Sequence, residues 1–470
     1  MDPNVCKVGY ALNPKKMRRS SVQTSKGAKA VWRGGGLADI LDNSNEDNDS
    51  DSLQFIPWDH EVPWTDQPHF DVFLHKLTED MDRKESEPKM KALDSYLKQH
   101  PTTVIVDPLS SVRKVISRAN TCQFLTSIQS RLSSSCPFKQ PKYVVIEDAD
   151  ATTEQVIQAM DKNGLHFPII CKPVAACGTS LSHCMMVIVR AEDLISLQKP
   201  CVIQQYHNHD AQFFKIYVIG NDVMVFRRPS LPNLDVPTDV SPGLVQKVVN
   251  SGKRSYESIN PGLPVESPED DSINPVSSQV SKRPKLKSVK FDSRYLYPKL
   301  SDFLDTPHEE NILGLSWQES PGSKGASGEK PDESKVDFST CGVPFETFKA
   351  TAEAIKQEFG LTLFGIDAII PSIGTPQAAF SLPATHCSPT NPFLPSLEYK
   401  SEQSIHRNNL KVAQDSAIRN SAIPGKGELL VIDVNYFPSY KEVTDFPVRL
   451  RRFLGKTARE QRVKNTNSLK

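Results

Sequence analysis

The chain has 470 residues, 56 basic against 56 acidic side chains, 38% hydrophobic content, 36 prolines and nine scattered cysteines. Zero net charge argues against wholesale nucleic-acid binding, and unpaired cysteines with no CxxC spacing fit a reducing compartment better than a disulfide scaffold or zinc site. No run approaches the roughly 18 apolar residues of a membrane span, and the first residues lack an apolar signal core.

The length allows two or three domains with real cores, while the proline-rich, apolar-poor composition leaves part of the chain outside them. Residues 5–12, VCKVGYAL, read as a first strand. Lys15, Lys16, Arg18 and Arg19 follow at once. Such a cluster beyond a strand end either meets an anionic ligand or is a solvated charged face. Residues 34–52 turn glycine-rich and then acidic, a flexible loop. Strands are expected at 54–58 and 70–74, the second running into Lys76, another candidate anion contact. A helix over 86–99, a strand over 103–107 and one or two helices over 110–132, with Arg113 and Arg118, complete an α/β pattern with a parallel sheet.

The character then changes. A strand at 143–146 and an amphipathic helix at 152–162, ended by Asn163-Gly164, lead to an apolar strand at 167–171 that delivers Lys172. The small-residue loop Ala175-Ala176-Cys177-Gly178-Thr179-Ser180, His183 and a strand at 185–189 follow. Small residues let a backbone approach phosphate closely, and Lys172 would supply a point charge; an ordinary hairpin with a solvent-facing lysine is the alternative. Strands at 201–206, 213–219 and 223–228 come next. Lys215 lies inside the second, where an ammonium either snorkels to solvent or faces a charged ligand. His207 and His209 have no further ligands at metal spacing, so they read as loop residues.

Residues 232–289 read as a disordered insertion. Its KRPKLK run at 282–287 is either a nuclear-import patch or linker charge. After an apolar-poor stretch at 305–338, residues 345–359 give an amphipathic helix ended by Gly360. The strand 361–370, LTLFGIDAII, carries Asp367 in an apolar run, where a carboxylate is costly unless paired or bound to metal. A second insertion, 371–426, precedes LLVIDVNYFPSY at 429–440. Asp433 and Asn435 there are two apart on a strand and share one face. With Asp367 on a neighbouring strand they would form a three-point oxygen site suited to Mg²⁺ and phosphate; buried acids capped by backbone donors are the alternative. Residues 447–465 read as a basic helical tail that frays.

Lys172 with its small-residue loop, QQYHNHD, Lys215, RRPSLPN, LFGID and DVNYFP stand in the order of an ATP-grasp kinase. More narrowly the chain resembles the inositol-tetrakisphosphate 1-kinase (inositol 1,3,4-trisphosphate 5/6-kinase) family, over roughly 300 of its 470 residues. VGYAL, FDVFLHKLTED, VIVDPL and NGLHFPIICKP support this. The resemblance implies an N-terminal α/β domain at 1–110 on the substrate side. A central ATP-grasp subdomain at 111–205 and a C-terminal catalytic subdomain at 206–455, with insertions 232–289 and 371–426, would follow. It implies ATP-phosphate contacts at Arg118 and Lys172. A nucleotide hinge would run through Gln204, Gln205, Tyr206, His207, Asn208, His209, Asp210, Ala211, Gln212, Phe213, Phe214 and Lys215, with Ser230 as a further contact. Inositol phosphates would meet Lys16, Lys76, His183, Lys215 and Asn435. Two Mg²⁺ ions would sit on Asp367, Asp433 and Asn435, with Lys215 and Asn435 nearest the chemistry.

The function so implied is Mg-ATP-dependent phosphorylation of inositol 1,3,4-trisphosphate (5/6 position) or inositol 3,4,5,6-tetrakisphosphate (1 position). A monomer is expected, without nucleic acid or membrane span, in the cytoplasm, with KRPKLK as the only hint of a nuclear address. The rivals are a degenerate nucleotide- or phosphoinositide-binding scaffold and an ATP-grasp carboxylate–amine ligase. The family has glycine where this chain has Ser439, which would be strained there if the turn demands a positive φ.

Overall fold

The computed structural model describes residues 5–13, 16–17, 37–38, 40–41, 53–81, 83–235, 286–294, 297–305, 336, 338, 341–372 and 427–468. Most of both expected insertions (236–285 and 373–426), the loop after the first strand and most of 305–338 lie outside these residues.

The first layer is a parallel sheet in the order β2-β1-β3-β4, with β1 at Cys6–Leu12, β2 at Leu53–Pro57, β3 at Val72–Lys76 and β4 at Val104–Val106. Parallel neighbours need a crossover, and the helix α1 (Glu87–Gln99) connects β3 to β4. Its Met90, Leu93 and Tyr96, one turn apart, pack with Trp58, Phe70 and Phe73. Two helices follow, α2 (Leu109–Arg113) and α3 (Arg118–Leu132).

The second sheet is antiparallel, in the order β11-β7-β6-β8-β5. It comprises β5 (Tyr143–Ile146), β6 (Ile169–Pro173), β7 (Cys184–Ile188), β8 (Cys201–Gln205) and β11 (Val289–Asp292). The helix α4 (Thr153–Lys162) starts in a reciprocal capping box between Thr152 and Gln155. The third sheet, order β10-β9-β12-β13, is also antiparallel. It holds β9 (Gln212–Ile219), β10 (Asp222–Pro229), β12 (Leu363–Ile369) and β13 (Leu430–Tyr436). The helix α5 (Phe345–Phe359) buries Phe348, Ala352, Ile355 and Phe359 in the core shared with this sheet. It ends at Gly360, whose φ of 68° is open to glycine and strained for most residues.

Two expectations change. The insertion at 232–289 is shorter at both ends. Leu231 and Leu234 are buried with Phe303, Tyr206, Val187 and Val189, and Val289 opens β11 on the edge of the second sheet. These side chains are apolar at a spacing that lets them close a small core, so the segment's ends fold back. The C-terminal tail does not fray over its described length. The helix α6 (Phe446–Ser468) buries Phe446, Leu450, Leu454 and Ala458, four residues apart along one face. Beyond them Arg462 grips Asp71 through both carboxylate oxygens at 2.8 Å and also donates to Val5 O.

A buried polar knot joins the first sheet to the third. His75 Nε2 donates to Asp107 O at 2.6 Å, and Asp107 N donates to the Tyr436 hydroxyl at 3.1 Å. That hydroxyl donates to His75 O at 2.8 Å. The Asp107 carboxylate accepts from the Thr362 and Leu363 amides, both at 2.9 Å. Tyr436 and the Thr362–Leu363 amides carry the hydrogen bonds that cross the boundary and lock the two sheets in one arrangement.

Candidate active site

The third sheet lays its polar residues out in rows. Lys215, Asp367 and Asp433 are register partners across β9, β12 and β13; Tyr217, Gly365 and Asn435 form the next row. All six side-chain positions therefore share one face. Lys215 Nζ lies 2.6 Å from Asp367 Oδ1, and Asn435 Nδ2 donates to Asp367 Oδ2 at 3.1 Å. Gly365 makes this possible. A Cβ there would stand 3.1 Å from Pro438 Cγ and 3.2 Å from Lys215 Cε.

A β-bulge follows Asp367: Ala368 pairs with Val431, which leaves Ile432 as the extra residue. A bulge frees a backbone group from the ladder. The Ile432 carbonyl accepts from Lys172 Nζ at 2.9 Å, so the lysine of β6 reaches across from the second sheet. Lys172 is buried, and burial pulls its pKa down against the favourable charge of Asp433. Arg118, at the start of α3, is buried too. Its Nη1 donates to Pro173 O and Ala175 O, at 2.9 and 3.0 Å, and roots the small-residue loop. Its Nε stands 3.7 Å from Asp433 Oδ2 and makes no hydrogen bond among the described residues. That buried donor, without a hydrogen bond and 3.7 Å from the Asp433 carboxylate, suits a site that takes metal-bound phosphate. Among the described residues no group of three or more His, Cys, Asp or Glu converges. The oxygen set of Asp367, Asp433 and Asn435 therefore fits a hard ion that draws its remaining ligands from phosphate and water.

A second cationic group adjoins the first. Lys16 Nζ donates to Pro438 O at 2.8 Å and sits 4.4 Å from the centre of the Phe437 ring. Lys76, at the end of β3, donates to Tyr436 O and lies 5.0 Å from the Tyr436 ring centre. Burial pulls Lys16 down to about 7, helped by the charge of Lys76, and pulls Lys76 down to about 8. Carbonyl oxygens and ring faces hold these two ammonium groups.

The remaining expected residues fall as follows. His183 ends a 3₁₀ turn at Ser180–His183, and its carbonyl accepts from Ser293. It lies close enough to Asp292 on β11 to interact with that carboxylate. The small-residue loop instead meets the N-terminal layer through Cys177 Sγ to Thr78 O and Arg83 Nη2 to Gly178 O. Along the hinge, Gln204 is buried against Cys122, Gln205 pairs with the His166 backbone, and the Tyr206 hydroxyl donates to Pro232 O. Phe214 packs on Phe348 in the core, on the opposite face from Lys215, so only its backbone borders the cleft. Phe213 lies near Tyr297 and Arg228. His209 bonds to the Ser230 hydroxyl at 2.7 Å and to His207 O, which is the structural loop role the sequence suggested.

Sequence reasoning missed a cluster beside Asp367. Arg228 Nη2 contacts Glu442 Oε1 at 2.5 Å, and the Tyr217 hydroxyl donates to Glu442 Oε2 at 2.6 Å. The only local signal was the arginine pair ending β10. Ser439 carries none of the strain its glycine counterpart suggested; the left-handed residues of that turn are Phe437 (φ 41°) and Tyr440 (φ 50°). A cleft of about 690 Å³ between α1 and α2, lined by Arg83, Lys91, Asp94 and Arg113 among others, shares no residue with this site.

Two family models match the chain. The inositol 1,3,4-trisphosphate 5/6-kinase pre-ATP-grasp domain covers residues 38–112, and the ATP-grasp domain of the same family covers 133–259. Inositol-tetrakisphosphate 1-kinase of Xenopus laevis is 29% identical over 49% of this chain and 54% of its own length. That of Danio rerio is 30% identical over 50% and 54%. Inositol-tetrakisphosphate 1-kinase 1 of Zea mays is 31% identical over 50% and 60%. The chain thus spans a little over half the length of these curated relatives. Similar solved chains include VanG D-Ala:D-Ser ligase from Enterococcus faecalis, 8% identical over 97% of this chain and 98% of that one, with a TM-score of 0.40.

A parallel N-terminal sheet ahead of two antiparallel sheets that face each other with lysine, arginine and carboxylates between them is an ATP-grasp protein. Both matched domain models carry one family label, that of the inositol 1,3,4-trisphosphate 5/6-kinases, to which residues 38–112 and 133–259 of this chain are similar.

Proposed function

We propose that this chain is an ATP- and Mg²⁺-dependent inositol polyphosphate kinase. It would transfer the γ-phosphoryl group of ATP to a hydroxyl of inositol 1,3,4-trisphosphate (5/6 position) or inositol 3,4,5,6-tetrakisphosphate (1 position). One observation carries the reading: Lys16 and Lys76, partly buried together on the Tyr436–Pro438 carbonyls, lie directly beyond the strand that bears Asp433 and Asn435. Two lysine side chains converging in one place suit a ligand with several phosphates better than a single carboxylate. That favours a polyphosphate acceptor over the ligase alternative, and the in-register carboxylates favour turnover over a scaffold.

In this reading Asp367, Asp433 and Asn435 would hold Mg²⁺, which would supply charge neutralisation for phosphoryl transfer. Lys172 and Arg118 meet the ATP phosphates from the second sheet. The 204–215 hinge backbone takes the base and ribose. Lys16 and Lys76 hold acceptor phosphates, and Lys215, close to Asp367, orients the reacting groups. The described residues of the site are cations, carboxylates and an amide, which suits in-line positioning for direct transfer.

The test is a transfer assay with purified chain, Mg-ATP and a panel of inositol tris- and tetrakisphosphates, with and without chelator. Transfer that stops on chelation supports the kinase, and the product isomer assigns the ring position. ATP binding with no transfer to any inositol phosphate overturns it.

A further inference from the structure

The hinge between β8 and β9 contains two consecutive non-glycine residues in the left-handed region, Asp210 and Ala211, both at φ 54°. Such a pair persists only where its surroundings over-determine it. Here two side chains from distant segments do so. Asn233 Oδ1 accepts from the amides of His209 at 3.0 Å and Asp210 at 2.9 Å, and Asn233 Nδ2 donates to Asp210 Oδ1 at 2.8 Å. Ser372 Oγ donates to the same carboxylate oxygen at 2.6 Å, while Ser372 N donates to Asn208 O at 2.8 Å. Asn233 lies just past the end of β10 and Ser372 just past the end of β12. The clasp therefore ties the exits of two strands to the hinge. These hydrogen bonds also hold the Asp210 carboxyl below the usual carboxylate range, Ser372 contributing most.

We propose that Asn233 and Ser372 are positioning residues for the nucleotide: they set the Asp210–Ala211 turn, and through it the hinge backbone along which the base lies. They act through Asp210 and its neighbours rather than on the ligand. The inference rests on the hinge being the nucleotide site, but it does not depend on the identity of the phosphoryl acceptor. The same turn leads directly into β9 and Lys215, yet the register of β9 with β10 and β12 is secured by its own ladders. Loosening the clasp should therefore move nucleotide affinity and leave the chemistry in place.

The experiment uses the full chain with Mg-ATP, read by calorimetry and by steady-state kinetics with inositol 1,3,4-trisphosphate. Ser372→Ala removes one charge-assisted hydrogen bond, so the Kd and KM for ATP should rise about tenfold, while kcat and the KM for the inositol phosphate stay within about twofold. Ser372→Thr keeps the hydroxyl and should restore ATP affinity. Asn233→Asp sets a carboxylate against Asp210 and should weaken ATP binding at least as much; it also provides the reading if Ser372→Ala does not fold. Unchanged ATP affinity in folded Ser372→Ala or Asn233→Asp overturns the proposal. So does a parallel loss in kcat, inositol phosphate KM and melting temperature that Ser372→Thr does not rescue. Because ATP binding is read directly, failure of the kinase reading would appear as absent transfer with measurable ATP affinity, which is a different result.

Discussion

Lys215 Nζ and Asp367 Oδ1 stand 2.6 Å apart, register partners on adjacent antiparallel strands, with Gly365 leaving the space the lysine occupies. In the proposed function the pair would set a metal ligand beside an acceptor-facing cation. Each holds the other in place, and the lysine is buried.

Gly365→Ala tests this packing. Its Cβ would press on Pro438 and on Lys215 Cε, and the strand cannot yield without disturbing the Lys215–Asp367–Asp433 row. Turnover should fall about 10- to 100-fold, with an overpacking cost of about 1–3 kcal/mol in stability. Steady-state kinetics beside a denaturant melt would check it; wild-type kcat in a folded variant would remove the role assigned to Gly365.

Asp433→Ala should leave the fold largely intact, because the side chain lies at the cleft surface rather than in the core. It removes one oxygen ligand and strands the buried charges of Arg118 and Lys172 without their counter-charge. Turnover should drop by orders of magnitude and the Mg²⁺ concentration for half-activity should rise. A metal titration of activity, paired with circular dichroism, separates lost metal binding from lost structure.

The pH dependence follows from Lys16 and Lys76, which titrate at about 7 and about 8 instead of the usual lysine value of 10.5. A bound polyanion should raise both. Below about 7 the free protein is already protonated at these sites, so binding takes up no proton. As pH rises through this range the free lysines lose their protons, binding must restore them, and acceptor affinity should fall. Calorimetry of inositol phosphate binding in buffers of different ionisation enthalpy should show proton uptake near pH 8 and little near pH 6. The same shift makes the ligand-free fold gain stability as pH climbs from about 7 toward 10.5, since the unfolded chain then holds more protons than the folded one. Affinity that is flat from pH 6 to 9 would be at odds with this pair being the acceptor site.

Arg462→Ala unties α6 from the first sheet. The pair with Asp71 is partly exposed, so its loss should cost no more than about 1 kcal/mol overall. The effect should be local: hydrogen exchange in β1 and β3 should rise well before exchange in β9 or β12. Uniform exchange across all three sheets would mean that α6 does not act as a strap.

Several features were legible from local pattern. Asp433 and Asn435 share a face because a strand repeats every two residues, and Phe345–Phe359 reads as a helix because its apolar residues recur every three to four. Lys172 at a strand end and the loop role of His207 and His209 were visible in the same way. The fate of the tail was not. Leu450, Leu454 and Ala458 give a narrow apolar stripe in a strongly charged segment, and nothing local shows that a core awaits it. Whether Ser439 is strained was likewise not legible, since only the structure places the turn's positive φ angles on Phe437 and Tyr440.

By itself the sequence determined most of the elements and the family resemblance, because helix and strand periodicity and short motifs are encoded within a few neighbours. Only the tertiary structure decided the site. Lys16 meets Pro438 from 422 residues away, and Lys172 meets Ile432 from 260. Whether such groups converge depends on strand register, on a single bulge and on an absent Cβ at Gly365. Those are non-local consequences of packing, and no short window of residues contains them.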